Sequence, residues 1–171
     1  MTRFNLSLPQ HQARLVTLAV SYHLARPGSE IDADTLADYE HGLRELLPLL
    51  DDQLEADAAS LEVTPLQAVL LSTALSSVIS ELKMYSVFDT MSGTSPRPRS
   101  VAHGFDDRLR TLFPEITGDP AHASQLAEDA TMLRRELPAA RARVIIEDER
   151  RAREAARSAK KWWQFWRRPA S

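Results

Sequence analysis

The chain has 171 residues, of which 43% are hydrophobic, 26% charged and 6% aromatic, and its formal net charge is −3. This length suits one soluble domain that buries a core of its own, and the absence of cysteine excludes disulfides, thiolate metal sites and cysteine nucleophiles. The small net charge conceals a division. Residues 1 to 133 carry nine lysines and arginines against nineteen acids, a charge of −10, whereas residues 134 to 171 carry twelve against five, a charge of +7.

The sequence predicts neither an export signal nor a membrane-spanning segment. Proline and polar residues interrupt the apolar stretch that a signal peptide needs near the N-terminus. Residues 63 to 80 carry no charge, but hydroxyl side chains, a glutamine and a proline dilute a span that would need about 20 mainly apolar residues. We therefore expect a buried central helix there, and the cytoplasm as the compartment.

Two helices are predicted in the first third of the chain. The first covers residues 7 to 26, because Ser7 is a favoured N-cap and a Pro-Gly pair follows as a stop signal. The second begins near residue 32 or 34 and extends to about residue 60 on a stripe of leucines and one tyrosine. Pro48 predicts a kink or break within it, since proline lacks the amide donor and clashes with the carbonyl four residues back.

The clearest helix start in the sequence is Thr64 followed by Pro65, a favoured N-cap before a proline at the first helical position. This third helix is predicted to run to residue 89. Its apolar residues occupy more than one face, which is typical of a helix in the middle of a bundle. Glycines and prolines make residues 90 to 104 the predicted linker.

A short helix is predicted over residues 105 to 113, and a last helix begins with Asp119 as N-cap and a proline after it. Pro138 is expected to bend this helix. Its apolar positions alternate spacings of four and three, the pattern of a helix packed along a neighbour. These positions are Leu126, Ala130, Leu133, Leu137, Ala140 and Val144.

No strand is predicted, so the expected fold class is all-α. The chain is interpreted as a bundle of three long helices plus a short one, closed by a long C-terminal helix that projects beyond the core. Residues 1 to 146 form the bundle domain and residues 147 to 171 a charged extension. Acids and arginines four residues apart support a solvated helix in that extension. The predicted pairs are Glu147 with Arg151, Glu149 with Arg153, and Arg150 with Glu154.

The extension leads to the sequence KKWWQFWRR at residues 160 to 168, which contains all three tryptophans of the chain. On a helical wheel at about 100° per residue, the four aromatic rings fall on one side and the cations and the glutamine on the other. The alanines of residues 152 to 159 continue the aromatic side. The candidate docking residues are Lys160, Lys161, Trp162, Trp163, Phe165, Trp166, Arg167 and Arg168.

This pattern suggests a non-catalytic interaction or accessory protein whose C-terminal end docks reversibly on an anionic membrane surface or on a partner protein. Tryptophan favours the headgroup boundary, and lysine and arginine attract anionic lipid. The protein would then be peripheral on the inner face of the membrane. Two further arrangements stay open: the aromatic face packs on the helical body, or the final helices of two copies form a homodimer.

Single-stranded nucleic acid is a weaker alternative, because the acidic body would repel a polyanion and no nucleic-acid motif is present. A metal-binding enzyme is another, based on a cluster in the second helix. Neighbouring helices offer few matching ligands, and no catalytic serine motif or phosphate-binding glycine loop occurs. The sequence therefore predicts no catalytic residue, metal or cofactor. The cluster comprises Asp32, Asp34, Asp38, Glu40, His41 and Glu45.

Overall fold

A computed structural model describes residues 2 to 25, 42 to 90, 104 to 117, 119 and 121 to 166, with backbone only for residues 88 to 90 and 158 to 166. These residues are mostly helical, and they include one two-stranded sheet. Short 3-10 turns occur at Leu43–Glu45 and Pro114–Thr117. The other elements are β1 (Phe4–Pro9), α1 (Gln10–Ala25), α2 (Leu46–Asp51), β2 (Ala58–Val63), α3 (Pro65–Thr90), α4 (Phe105–Leu112), α5 (His122–Glu136) and α6 (Ala139–Trp166).

Helix α3 lies at the centre, in contact with α1, α5, α6 and β2. Its predicted start is confirmed: the Gln67 N–H donates to the Thr64 hydroxyl at 3.2 Å, and the Thr64 N–H donates to the Gln67 side chain at 2.8 Å. This reciprocal pair is a capping box. The stretch Pro65–Val87 is long and apolar enough to cross a membrane, but 61% of its most apolar part is buried inside the protein, as a core helix requires.

The prediction that the chain forms no strand is wrong. Strands β1 and β2 pair antiparallel, with Phe4 opposite Val63 and Pro9 opposite Ala58. Side chains of β2 alternate between buried and exposed, which is the period of a strand with one face on a core. Ser7 lies opposite Ser60 within this sheet, so it does not cap α1, which begins at Gln10.

The long second helix is also corrected. Helix α2 covers only Leu46–Asp51, and the chain then turns into β2. Pro48 lies in the first turn of α2, where a missing amide donor costs no intrahelical hydrogen bond, so it does not interrupt a longer helix. The Gln53 side chain accepts a hydrogen bond from the Ser60 N–H at 2.8 Å, which fixes the turn against the strand. Residues 26 to 41 and most of the predicted linker, residues 91 to 103, lie outside the described residues.

One buried polar contact joins two helices of the core. The Tyr22 hydroxyl on α1 donates to Glu81 Oε1 on α3 at 2.6 Å, and both residues are almost fully buried. The Tyr22 ring packs edge-on against Phe105 of α4, with 5.2 Å between ring centroids. On the adjoining surface, a hydrogen bond to Tyr85 of α3 raises the pKa of Arg110 on α4 above its ordinary value.

Replacing Tyr22 with phenylalanine should measure this contact. The ring and its packing remain, but the hydrogen bond to Glu81 is lost, so we expect the free energy of unfolding to fall by about 1–3 kcal/mol. Urea denaturation monitored by circular dichroism gives the free energy of unfolding. In a double-mutant cycle with Glu81→Met, the two losses should be non-additive, whereas additivity within about 0.5 kcal/mol would contradict a direct coupling.

Candidate functional site

The predicted last helix is two helices separated at Leu137 and Pro138. Helix α5 ends at Glu136, and Leu137 has an extended backbone with φ −61° and ψ 142°. A residue before proline is disfavoured in the helical region because the proline ring crowds its backbone. Helix α6 then begins again, with the Ala142 N–H donating to the Pro138 carbonyl at 2.8 Å. The proline therefore breaks the predicted helix.

The break changes which side of α6 packs against the body. In α5 the predicted packing positions are confirmed, since Leu126, Ala130 and Leu133 are buried. Leu137, just after α5, is buried too. In α6 the prediction is wrong: Ala140 is exposed and Val144 is 60% exposed. One extended residue interrupts the helical phase, so a register counted through it no longer applies. The residues of α6 that face the body are Ala139 and Ala142, which are buried, and Ile145 and Ile146, which are partly buried.

Beyond residue 146, α6 leaves the core as a charged helix. Most side chains from residue 147 to 157 are exposed. Glu147 accepts hydrogen bonds or ion-pair contacts from Arg150 at 2.9 Å and Arg151 at 3.3 Å, and Arg150 lies 4.0 Å from Glu154. Two of the predicted pairs, Glu147 with Arg151 and Arg150 with Glu154, are thus confirmed. Such pairs stabilise a helix that has no apolar partner.

The helical backbone of α6 continues to Trp166. The candidate docking residues Lys160, Lys161, Trp162, Trp163, Phe165 and Trp166 therefore belong to the same helix that packs on α3. Their side chains, together with Arg167 and Arg168, lie outside the described residues. At a rise of about 1.5 Å per residue, α6 is about 42 Å long.

Because α6 is continuous, the aromatic positions can be related to the side that faces the body. Val144 precedes Trp162 by about five complete turns and has the same angular position on the helix. Buried Ala142 and partly buried Ile146 lie about 160° from that position in either direction. We call the side marked by Ala140, Val144, Arg151 and Ala155 the outer face of α6; each of these residues is exposed. The register of Trp162, Phe165 and Trp166 is centred on this face.

The net charge also differs between the sequence before α6 and the sequence from α6 onward. Residues 139 to 171 carry ten lysines and arginines against four acids, a net charge of +6, whereas residues 1 to 138 carry eleven against twenty, a net charge of −9. The sequence from the start of α6 onward is thus cationic, and the sequence before it is acidic.

The metal-binding alternative rests on a cluster of which the structure describes only Glu45. Among the residues that the structure describes, no group of three or more histidines, aspartates and glutamates is placed to hold a metal ion. Glu45 lies in the first 3-10 turn. The other members of the cluster, Asp32, Asp34, Asp38, Glu40 and His41, fall outside the described residues.

A cavity of about 120 Å³ lies between α1 and α4 and is lined by Leu18, Ser21, Tyr22, Gly104, Phe105 and Arg108. The Tyr22 hydroxyl is already bonded to Glu81, and the Arg108 guanidinium is paired with Asp51 of α2. The arrangement joins four helices, and among its described lining residues no nucleophile lies beside a base. We therefore assign it a structural role.

No protein-family model, curated protein or solved structure gives a significant match to the chain.

Two matched substitutions test the phase of α6. Ala142→Leu adds volume at a fully buried position and should lower the free energy of unfolding by about 1–3 kcal/mol. Ala140→Leu, the same change on the outer face, should alter it by less than about 0.5 kcal/mol. Urea denaturation followed by circular dichroism measures both. The opposite order would show that α6 packs through the side predicted from the sequence.

Proposed function

We propose that this protein is a non-catalytic accessory protein that attaches reversibly to an anionic membrane surface through the C-terminal end of α6. Residues 1 to 146 would act as a helical bundle around α3, with residues 147 to 171 as its docking extension. The observation that carries the proposal is the register of α6: Trp162, Phe165 and Trp166 continue the exposed outer face, whereas Trp163 has the angular position of partly buried Ile145. This register argues against the alternative in which the aromatic residues cover the body.

The chemistry of residues 160 to 168 suits a headgroup boundary. Tryptophan rings are favoured at that depth, and the flanking cations meet lipid phosphates. Lys160, Lys161, Arg167 and Arg168 near an anionic surface would contribute about 1 kcal/mol each. Attachment of this strength is reversible and weakens as salt screens the charges. The cytoplasmic leaflet, which carries the anionic lipids, is the proposed location.

The arginines nearer the body are not equivalent to these cations. Arg150 and Arg151 both contact Glu147, so much of their charge is balanced within the helix. The four cations beside the aromatic residues are therefore proposed as the main charge that meets lipid, to which arginines nearer the body can add.

Separation of aromatic from basic positions also favours a membrane over nucleic acid. Proteins that bind single strands set aromatic rings beside cations, so that bases stack while phosphates are neutralised. An interfacial helix instead needs an apolar side to enter the boundary and a polar side facing water. Residues 160 to 168 have the second arrangement.

Vesicle flotation tests the proposal. The full chain should float with vesicles that contain phosphatidylserine, float less with pure phosphatidylcholine vesicles, and be released by high salt. A chain truncated after Ala159 should stay in the dense fraction. Equal flotation of both chains on anionic vesicles, or of neither, would contradict the proposal.

Two single substitutions in the full chain separate aromatic contact from general effects of mutation. Trp166→Ala removes a ring on the outer-face side and should markedly reduce flotation. Gln164→Ala, two residues away on the opposite side of the wheel, should leave it unchanged. If the unmodified chain binds single-stranded DNA but not vesicles, and Trp166→Ala loses the DNA binding, the partner is a nucleic acid and not a membrane.

A further inference from the structure

We infer that α6 lies side-on along the membrane, so that the docking surface extends from the aromatic end back along the outer face to Val144. This inference rests on the proposed function and adds the orientation of the body and a further lipid-binding residue, Arg151.

The described part of the outer face is free of the body and in register with the aromatic end. Val144 is 60% exposed although it is a large apolar side chain, and Ala155 is exposed. On a helix turning about 100° per residue, Val144, Arg151 and Ala155 all lie within about 20° of the angular position of Trp162. A straight helix that lays its aromatic positions on a surface therefore brings these three residues toward the same surface.

Arg151 can exchange its partner for lipid at little cost. Its side chain is 70% exposed, and its Nε atom lies 3.3 Å from Glu147 Oε1. The same carboxylate oxygen accepts a hydrogen bond from Arg150 at 2.9 Å. If Arg151 turns to a lipid phosphate, Glu147 keeps a cationic partner, so no carboxylate is left without a countercharge.

The charge division supports the side-on arrangement. With the outer face on the membrane, the residues of α6 that pack on α3 lie on the far side of the helix, and the acidic body lies behind them. A helix standing upright would limit contact to its last turns and would hold Val144 about 27 Å from Trp162 along the membrane normal. Asp148 is exposed on the outer face, about as far from the angular position of Trp162 as Ala140, so this part of the proposed contact stays at the level of the headgroups.

Site-specific labelling distinguishes the two orientations, and the chain has no cysteine to interfere. Val144→Cys, Ala155→Cys and Met132→Cys each accept one environment-sensitive fluorophore. Met132 is 54% exposed and lies on α5, so it serves as the control on the body. On anionic vesicles the labels at residues 144 and 155 should both shift to the blue and brighten, and the label at 132 should not.

The outcomes separate the inference from the function on which it rests. A response at residue 155 with none at 144 would overturn the side-on orientation and leave membrane attachment intact. No response at any position, together with failure of the unmodified chain to float, would overturn both. A response at 144 that grows with protein concentration in the absence of vesicles would identify a second copy as the occupant and overturn the inference.

A pair of charge-matched variants tests Arg151. Arg151→Gln and Arg157→Gln each remove one positive charge, but Arg157 is exposed at about 140° from the position of Trp162, although it is nearer the aromatic end. Flotation should fall more for Arg151→Gln than for Arg157→Gln. An equal fall, or a larger one for Arg157→Gln, would show that charge acts without regard to the face of the helix.

Discussion

Helix α3 needs cover on several sides, because its apolar residues do not form a single stripe, and the rest of the fold supplies that cover. Helices α1, α5 and α6 and strand β2 all contact it. Its hydroxyl residues do not oppose this burial, since they bond within the helix: Ser76 donates to the Ser72 carbonyl at 2.8 Å, and Ser80 to the Ser76 carbonyl at 3.2 Å. A hydroxyl that donates its hydrogen bond within its own helix needs no acceptor on a neighbouring element. The long uncharged stretch is therefore compatible with a protein core.

The break at Pro138 determines how α6 uses that core. Because Leu137 is extended, α6 begins with its own phase. It contacts α3 and buries the small residues Ala139 and Ala142. Small side chains allow the close approach of a helix that then leaves the body after residue 146. Had α5 continued unbroken, Val144 would have faced the core, and the aromatic positions in register with it would have been turned toward the body.

Elements that depend on neighbouring residues could be predicted from the sequence, whereas elements that depend on contacts between distant residues could not. The start of α3 and the short helix α4 depend on neighbouring residues, and both were predictable. Strand β2 depends on pairing with β1, whose residues lie about 50 to 60 positions earlier in the chain. The leucines before β2 at helical spacing extended the predicted helix too far. The alternation of Ala59, Leu61 and Val63 was the available signal. The separation of aromatic and basic residues in 160 to 168 on a helical wheel can be read from the local sequence alone. The shared angular position of Trp162 and Val144 on an exposed face could be recognised only from how α6 packs after Pro138.

The proposed attachment would bring an acidic body near an anionic membrane, and the thickness of α6 answers the electrostatic objection that this raises. At physiological ionic strength the screening length is about 8 Å, whereas a helix with its side chains is about 10–12 Å across. If the outer face of α6 meets the lipid as proposed, the helix itself holds the described acids behind it more than one screening length from the surface. Arg151, which is on the outer face, lies within that length. The attraction between Arg151 and lipid then acts at short range, whereas the repulsion between the acids of the body and lipid is largely screened. A net charge of −9 on residues 1 to 138 is therefore compatible with the proposed attachment to a negative surface.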